Sequence, residues 1–468
     1  MHLPPPPYQT LLLTLTLLTL LTPTMSTAPL TRDVIIIGGG AAGTYASIRL
    51  HQQHHSVLVI DHKPRLGGQT TTYHDPITNH PTDYGVTYFQ NMSIVRSFFT
   101  HFNIPLTYAA FNYPIDMFDF NTLTPIPTTT TSASSNASNE AMTRYITQLK
   151  RYPYLKVGYD LPDPVPEDLL RPFGEFMQQY DLTAGIGDLG GSINPLGDWP
   201  RNPAVYVMKY ANLDVLEGDR TGFIRPEGRD NSLLYERAER ELEGVGGVML
   251  GVRVVGVERD AEGVVVTVRK GGEDGEVVTT VKGKKLVVAI QPSLTSLAGF
   301  DLSDQEKRVF GQFHHLFFYT ALMRIKGLPA DVCYMNRAAD DPFLLPRLPG
   351  ILQLKPTEEN ELKVANYLSM TELSEEELKQ GILHDLQSVR MRSGVNFPEP
   401  EFLAIGDHSP YELTVSAEAI QNGFYRELNA LQGVRNTYYT GATWESHSTP
   451  QIWEFTEQML QKHLLKAL

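Results

Sequence analysis

Cysteine is almost missing from this chain: Cys333 is the single one in 468 residues. One thiol excludes an intramolecular disulfide and any cysteine-based metal site. Positive charge is in deficit, with 39 Lys and Arg against 53 Asp and Glu and a formal net charge of −14 at pH 7. No basic stripe reverses that balance, so nucleic acid is excluded as a partner. Long apolar runs are missing as well. The Leu/Thr stretch Leu11–Leu21 has only 11 residues, too short to span a bilayer. It is followed by small residues, with Ser26 and Ala28 spaced as at a signal-peptidase site. Residues 1–28 therefore read as a secretory signal, with an uncleaved anchor or an overlong start as the alternative, and the mature chain is expected to start near Thr27 to Pro29 with no stable membrane insertion. The sequons at Asn91 and Asn136 are compatible with a secreted glycoprotein. A metal site is not expected: His51, His54 and His55 cluster at the end of a helical pattern, without a carboxylate at ligand spacing, and read as a solvated face.

Glycine, by contrast, is concentrated in one informative place. Asp33–Gly43 reads Asp-Val-Ile-Ile-Ile-Gly-Gly-Gly-Ala-Ala-Gly. Val34–Ile37 is a β-branched apolar run, as in a strand buried on both faces of a parallel sheet. Gly38, Gly40 and Gly43 then give G-x-G-x-x-G, and Thr44–Gln52 is helical in pattern. Gly38 allows the tight turn, Gly40 lets backbone approach a pyrophosphate, and Gly43 permits close helix–strand contact. The helix start, at Ala41 and Ala42, supplies unpaired N–H groups for phosphate. A second strand, Ser56–Ile60, ends in Asp61, 23 residues after Gly38, where a carboxylate can bond ribose hydroxyls.

The remainder reads as alternating elements. Tyr73–Asp83 is a hairpin or loop, Asp83–Phe89 is strand-like, and Ser93–Phe102 is helical. Asn121–Asn139, rich in Thr, Ser and Pro, is expected as a surface loop or exposed hairpin. Prolines interrupt the helical stretches of Glu140–Leu216, as in an irregular helical subdomain. Helix Asn231–Gly244 precedes strands Val248–Val257, Val264–Val268 and Val277–Ile290. Leu302–Phe318 and Thr371–Arg390 are expected to be mainly helical, alternating with strands at Tyr319–Ile325, Gly350–Leu354 and Phe402–Ile405. A strand at Thr437–Thr440, a loop from Gly441 and a helix from Pro450 close the chain.

This order of elements resembles the flavoprotein amine oxidase superfamily. The resemblance rests on Asp33–Gly43, Asp61, Arg65-Leu-Gly-Gly68, Asp83-Tyr-Gly-Val86, the helix and meander at 231–292, and Tyr439-Thr-Gly-Ala442. Gly441–His447 and Trp453–Glu457 are most similar to the fungal β-cyclopiazonate dehydrogenase group. The resemblance implies an α/β fold: a Rossmann-type FAD-binding domain of parallel sheet plus β-meander, with an inserted α+β substrate domain. Residues 31–105, 230–298 and 432–468 would form the first, and 106–229 with 299–431 the second.

Carried onto this chain, Gly38, Gly40 and Gly43 would hold the FAD pyrophosphate and Asp61 the adenosine ribose. Arg65, Gly67, Gly68 and Gln69 would line the pyrophosphate and ribityl chain, and Gly85 and Val86 would run beside the isoalloxazine. Val254 would offer its backbone to adenine. Gly441 and Ala442 would turn below the ring, and Gln451 and Ile452 would place helix N–H groups at its N1–C2=O2 edge. The family usually has Arg where Gln69 stands, and an acidic residue where Ala442-Thr443 stand. Its substrate-domain lysine has no counterpart in Tyr319–Arg324, and Lys326 lies past that strand. Cys333 is far from the C-terminal motif, so FAD is expected to be held non-covalently.

The expected reaction is hydride removal from an amine- or indole-containing small molecule, with Trp444 and Tyr439 as an aromatic wall. The alternative for Trp444 is core packing. A flavin monooxygenase or reductase would need a second glycine-rich strand–turn–helix, which the sequence does not show. A non-catalytic FAD-binding protein is the remaining alternative.

Overall fold

The computed structural model describes residues 30–109, 113–127, 132–185, 189, 193–272 and 275–468. The expected signal at 1–28 lies outside the described residues. Leu30–Ile37 forms the centre of a seven-stranded sheet, in parallel register with Val57–Asp61 on one side and Gly275–Val288 on the other. Side chains alternate across it. Val34 and Ile36 enter one apolar core, while Ile35 and Ile37 enter the other. A β-branched run suits this place because both faces are covered, each buried side chain contributing about 1.5–3 kcal/mol.

Gly275–Val288 is the hub, 14 residues long. Its end lies between Leu30–Ile37 and Thr437–Tyr439, both parallel to it. Its beginning pairs antiparallel with Val264–Gly272, which pairs with Arg253–Arg259. Parallel sheet and meander are thus one continuous surface. Helix Ala41–Gln52 follows the central strand directly, and helix Thr449–Met459 packs against it. Trp453 Nε1 donates to Ala41 O at 3.1 Å, and the Trp453 ring stacks 5.9 Å from Tyr45.

A second seven-stranded sheet, mainly antiparallel, runs in the order Glu401–Asp407, His314–Arg324, Leu362–Ser369, Gly350–Pro356, Cys333–Asn336 and Ile115–Phe118. Tyr411–Thr414 pairs beside the start of His314–Arg324. Helix Glu375–Ser393 starts on a capping box formed by Ser374 and Glu377. It buries Leu378, Ile382, Leu386 and Val389 on this sheet. Between residues 132 and 221 the chain forms helix Ser132–Leu149 and a series of shorter helices.

Several expected boundaries change. Residues 132–139, expected in a loop or hairpin, open helix Ser132–Leu149, whose later turns are anchored by the buried Ala141, Tyr145 and Leu149. Val248–Val257 divides in two. Val248–Leu250 extends the parallel sheet beside Val57–Asp61, and the chain turns at Gly251 (φ +66°) into Arg253–Arg259. The helix expected over Leu302–Phe318 stops at Phe310, and His314 already begins a strand. Asp83–Phe89 is not a strand; after Pro81–Asp83 only Phe89 pairs, in an isolated bridge with Ile224.

Candidate active site

The glycine turn has the geometry its sequence requires. Gly38 has φ +103°, and a Cβ on Gly43 would lie 1.8 Å from Gly38 O. Any side chain at Gly43 would therefore drive the helix off the strand. Gly40 differs: a Cβ there would meet only Gly68 Cα, at 3.7 Å, so the protein leaves space above it. The helix start carries neither a capping side chain nor an acidic residue in its first turn. Its N–H groups are thus available to an anion. Asp61 is buried beside the turn, accepting from Gly39 N at 2.6 Å and Lys63 N at 2.8 Å.

A second glycine turn closes over the first. Gly67 (φ +117°) and Gly68 (φ +55°) bring residue 68 onto Gly40. Arg65 Nη1 ties this turn by donating to Leu66 O and Thr70 O at 3.0 and 3.1 Å. Gln69 Nε2 reaches the second sheet, donating to His408 O at 2.9 Å. Gly85 lies against the same turn, where a Cβ would be 2.2 Å from Gln69 O, and Val86 O accepts from Asn231 Nδ2 at 2.7 Å. Val254 stands at a bulge in the meander, and Val252 N just before it donates to Asp61 O at 3.1 Å. Gly441 (φ +119°) turns the chain into Ala442–Trp444, and Gln451 and Ile452 lie in the first turn of Thr449–Met459.

These segments carry buried polar atoms without partners among the described residues: Thr71 Oγ1, Thr443 Oγ1, Ser446 Oγ and Gln451 Nε2. Buried polar groups are normally hydrogen-bonded, so four orphans on neighbouring loops fit a polar ligand running along the cradle. Together with the room above Gly40, the donor set suits FAD.

Tyr439 and Trp444 do not reach the cavity. Both rings are 1 % exposed and stack on each other at 5.5 Å. The Tyr439 hydroxyl donates to Glu306 Oε1 at 2.6 Å, inside a buried network with Arg259. The aromatic wall expected from these two residues is replaced by core packing, because the short turn after Gly441 directs Trp444 inward.

A cavity of about 520 Å³ lies against the second sheet. Its lining includes Asp83, Gln90 and Ser446–Ser448, the strand residues Met335, Gln353, Lys355 and Asn366, and the rings of Tyr210, Tyr411 and Phe223. Behind Tyr210 is Glu412, 6 % exposed, whose Oε2 accepts from the Tyr210 hydroxyl. Burial pushes the Glu412 carboxyl up to about 8, against the opposing effect of that bond. Glu412 N donates to His447 Nε2 at 3.0 Å. Burial, then His408, pushes His447 down to about 3, so it stays a neutral acceptor. Its ring lies 4.0 Å from Tyr411. Asp83 is likewise pushed up to about 8 by burial. Sequence reasoning missed Tyr210, Glu412 and Lys355, which sit in ordinary helix and strand patterns with no motif around them. His447 did carry a signal, as the end of the Gly441–His447 stretch.

Known proteins match this arrangement. Residues 36–102 match the NAD(P)-binding Rossmann-like domain family. The chain is 33 % identical to FAD-dependent oxidoreductase oblC of Cochliobolus heterostrophus, over 94 % of this chain and 92 % of that protein. It is 33 % identical to the beta-cyclopiazonate dehydrogenase of Aspergillus oryzae, over 92 % and 93 %. Its fold is shared with the CLA-producing fatty acid isomerase from P. acnes, at TM-score 0.73 and 17 % identity over 92 % of this chain and 98 % of that one. Putrescine oxidase has the same fold at TM-score 0.64 and 17 % identity, over 94 % and 100 %. Fold and cradle define an FAD-dependent oxidoreductase of amine oxidase architecture. Within that class, the chain belongs to the family of fungal FAD-dependent oxidoreductases that includes beta-cyclopiazonate dehydrogenase.

Proposed function

We propose that this enzyme removes a hydride from an amine- or indole-containing small molecule of secondary metabolism, with one non-covalently held FAD. The observation that carries the reading is the cavity, which runs from Ser446, one of the unpartnered polar groups of the cradle, to a tyrosine backed by a buried carboxylate. Bound FAD supplies a two-electron acceptor for the hydride. The glycine turns, Asp61, Arg65 and Gln69 would hold its nucleotide and ribityl parts. Gly85, Val86, Thr443, Ser446, Gln451 and Ile452 would border the ring.

The protein's own task is the proton that leaves the substrate nitrogen. Tyr210 Oη lines the cavity and donates to Glu412 Oε2. It can accept a proton from the substrate as its own passes to Glu412. With Glu412 pushed up to about 8, its basic form grows as pH rises through that value. The name beta-cyclopiazonate dehydrogenase, for a relative of 33 % identity, supports dehydrogenation as the reaction type. Secretion through residues 1–28 belongs to the same reading, and N-terminal sequencing of secreted protein checks it.

The test begins with the yellow holoprotein. Acid precipitation is expected to leave the colour in the supernatant, and colour in the pellet would mean a covalent link. Anaerobic mixing with a set of aryl amines and indolines is expected to bleach the visible spectrum. A spectrum that no member bleaches would overturn the substrate class.

A further inference from the structure

Among the described residues of the cavity wall, each arginine has a carboxylate partner and the lysine has none. Arg225 and Arg229 both pair with Glu358. His80 lies 3.1 Å from Glu359. Lys355 lines the same cavity from strand Gly350–Pro356, and its ammonium has no hydrogen-bond or ion-pair partner among the described residues. Its neighbours increase the imbalance. Lys363, on the adjoining strand, is fully buried and spends its ammonium on two carbonyls, Ala330 O at 2.9 Å and Val332 O at 2.8 Å. Arg337 is buried, and among the described residues its guanidinium donates only to Asn336 O and Met335 Sδ. Cys333 lies among all three, and burial pushes its thiol up to about 11, so it brings no negative charge.

The carboxylates of the wall are engaged elsewhere. Asp83 accepts from Thr72 Oγ1 and Asn231 N. Asp219 acts on Tyr88, which burial first and then this carboxylate push upward. Burial lowers the Lys355 ammonium, and no carboxylate acts to restore it. A partly desolvated cation is costly without an anion, and the open side of this one is the cavity.

We propose that Lys355 is the subsite for an acidic group of the substrate, a carboxylate or an enolate, which fixes which end of the molecule enters. The inference rests on the cavity being the substrate site and deepens that reading. The substrate is then not a simple amine: it carries an anion at a fixed remove from the carbon that loses hydride. A basic amine without an acidic group would meet this lone ammonium and be disfavoured there.

Binding to the oxidised holoprotein tests this without turnover, so failure of every amine to bleach the flavin leaves the test intact. The probes are indole-3-propionate and its neutral isostere indole-3-propionamide, titrated by calorimetry and by their perturbation of the flavin spectrum. The acid is expected to bind about tenfold more tightly than the amide, the gain of one charge-assisted contact. Lys355→Met is expected to abolish the preference and Lys355→Arg to keep it. Thermal denaturation adds a second readout. Removing an uncompensated cation should raise the melting temperature, whereas removing a merely structural lysine should lower it. Equal affinity for acid and amide, no binding of either, or a preference that survives in Lys355→Met would each overturn the proposal.

Discussion

Two glycines three residues apart carry different constraints, and substitution separates them. A Cβ at Gly43 collides with Gly38 O at 1.8 Å, while a Cβ at Gly40 meets nothing closer than 3.7 Å. Gly43→Ala is therefore expected to unfold the cradle. Gly40→Val should fold with a wild-type circular dichroism spectrum and purify colourless, since its side chain occupies only the space a pyrophosphate needs. A yellow Gly40→Val protein would place the nucleotide elsewhere. Glu412 gives a second expectation at this scale. Its folded-state value, about 8, lies above the ordinary 4.5, so the folded protein retains a proton that the unfolded chain releases. The stabilisation is complete below about 4.5 and is lost as pH rises through about 8. Glu412→Gln should flatten that decline in a melting-temperature series. The same variant should slow flavin reduction by about 10²-fold or more if the carboxylate receives the substrate proton. Melting curves of wild type and variant that run parallel across this range would remove Glu412 from the pH account.

At the scale of elements, one buried ion pair joins helix Ala204–Tyr210 to the loop that precedes the C-terminal helix. Lys209 Nζ contacts Glu445 Oε1, with side chains 1 % and 0 % exposed. Lys209 also donates to Leu155 O at 2.9 Å and Gly158 O at 3.2 Å, and Glu445 Oε2 accepts from Gly158 N at 2.5 Å. Breaking it from one side, as in Lys209→Met, leaves a buried carboxylate and should cost about 3–5 kcal/mol. Lys209→Met with Glu445→Gln should recover part of that loss, because both charges are gone. The penalty of the single variant should shrink at acid pH, where Glu445, raised to about 7 chiefly by burial, takes up a proton. Additive losses in the double variant would mean the two charges are not coupled.

This pair also marks what the sequence could convey about the site. The cradle was legible because strand, glycine spacing and Asp61 are all local, within the 32 residues from Val34 to Arg65. The helix–meander order was legible for the same reason. Glu412, Tyr210, Lys209 and Lys355 meet their partners only through tertiary contact, so no spacing announces them. Trp444 fails differently. Its motif was read correctly as part of the C-terminal loop, but whether a ring faces a ligand or the core depends on the turn geometry after Gly441. Element ends shifted where packing overrode composition, as at Ser132–Asn139 and His314–Phe318.

The whole molecule depends on strand Gly275–Val288, whose neighbours come from residues 30–37, 264–272 and 437–439. A protein ending at Asn436 lacks Thr437–Tyr439 and the loop bearing Thr443, Ser446 and Gln451. It should purify without visible absorbance, and a yellow truncated protein would show that the cradle is complete without that loop. The same connectivity has a consequence for biosynthesis. The strand that opens the glycine turn is synthesised well before its partners: Gly275–Val288 follows some 240 residues later and Thr437–Tyr439 about 400 residues later. Until then Val34–Ile37 can pair only with Val57–Asp61, and its other apolar, β-branched edge has no partner, the condition in which nascent chains need chaperones. Pairings this distant in sequence are also slow to form. A cradle assembled from segments this far apart is complete, and able to take up its cofactor, only once Thr437–Tyr439 has joined the sheet.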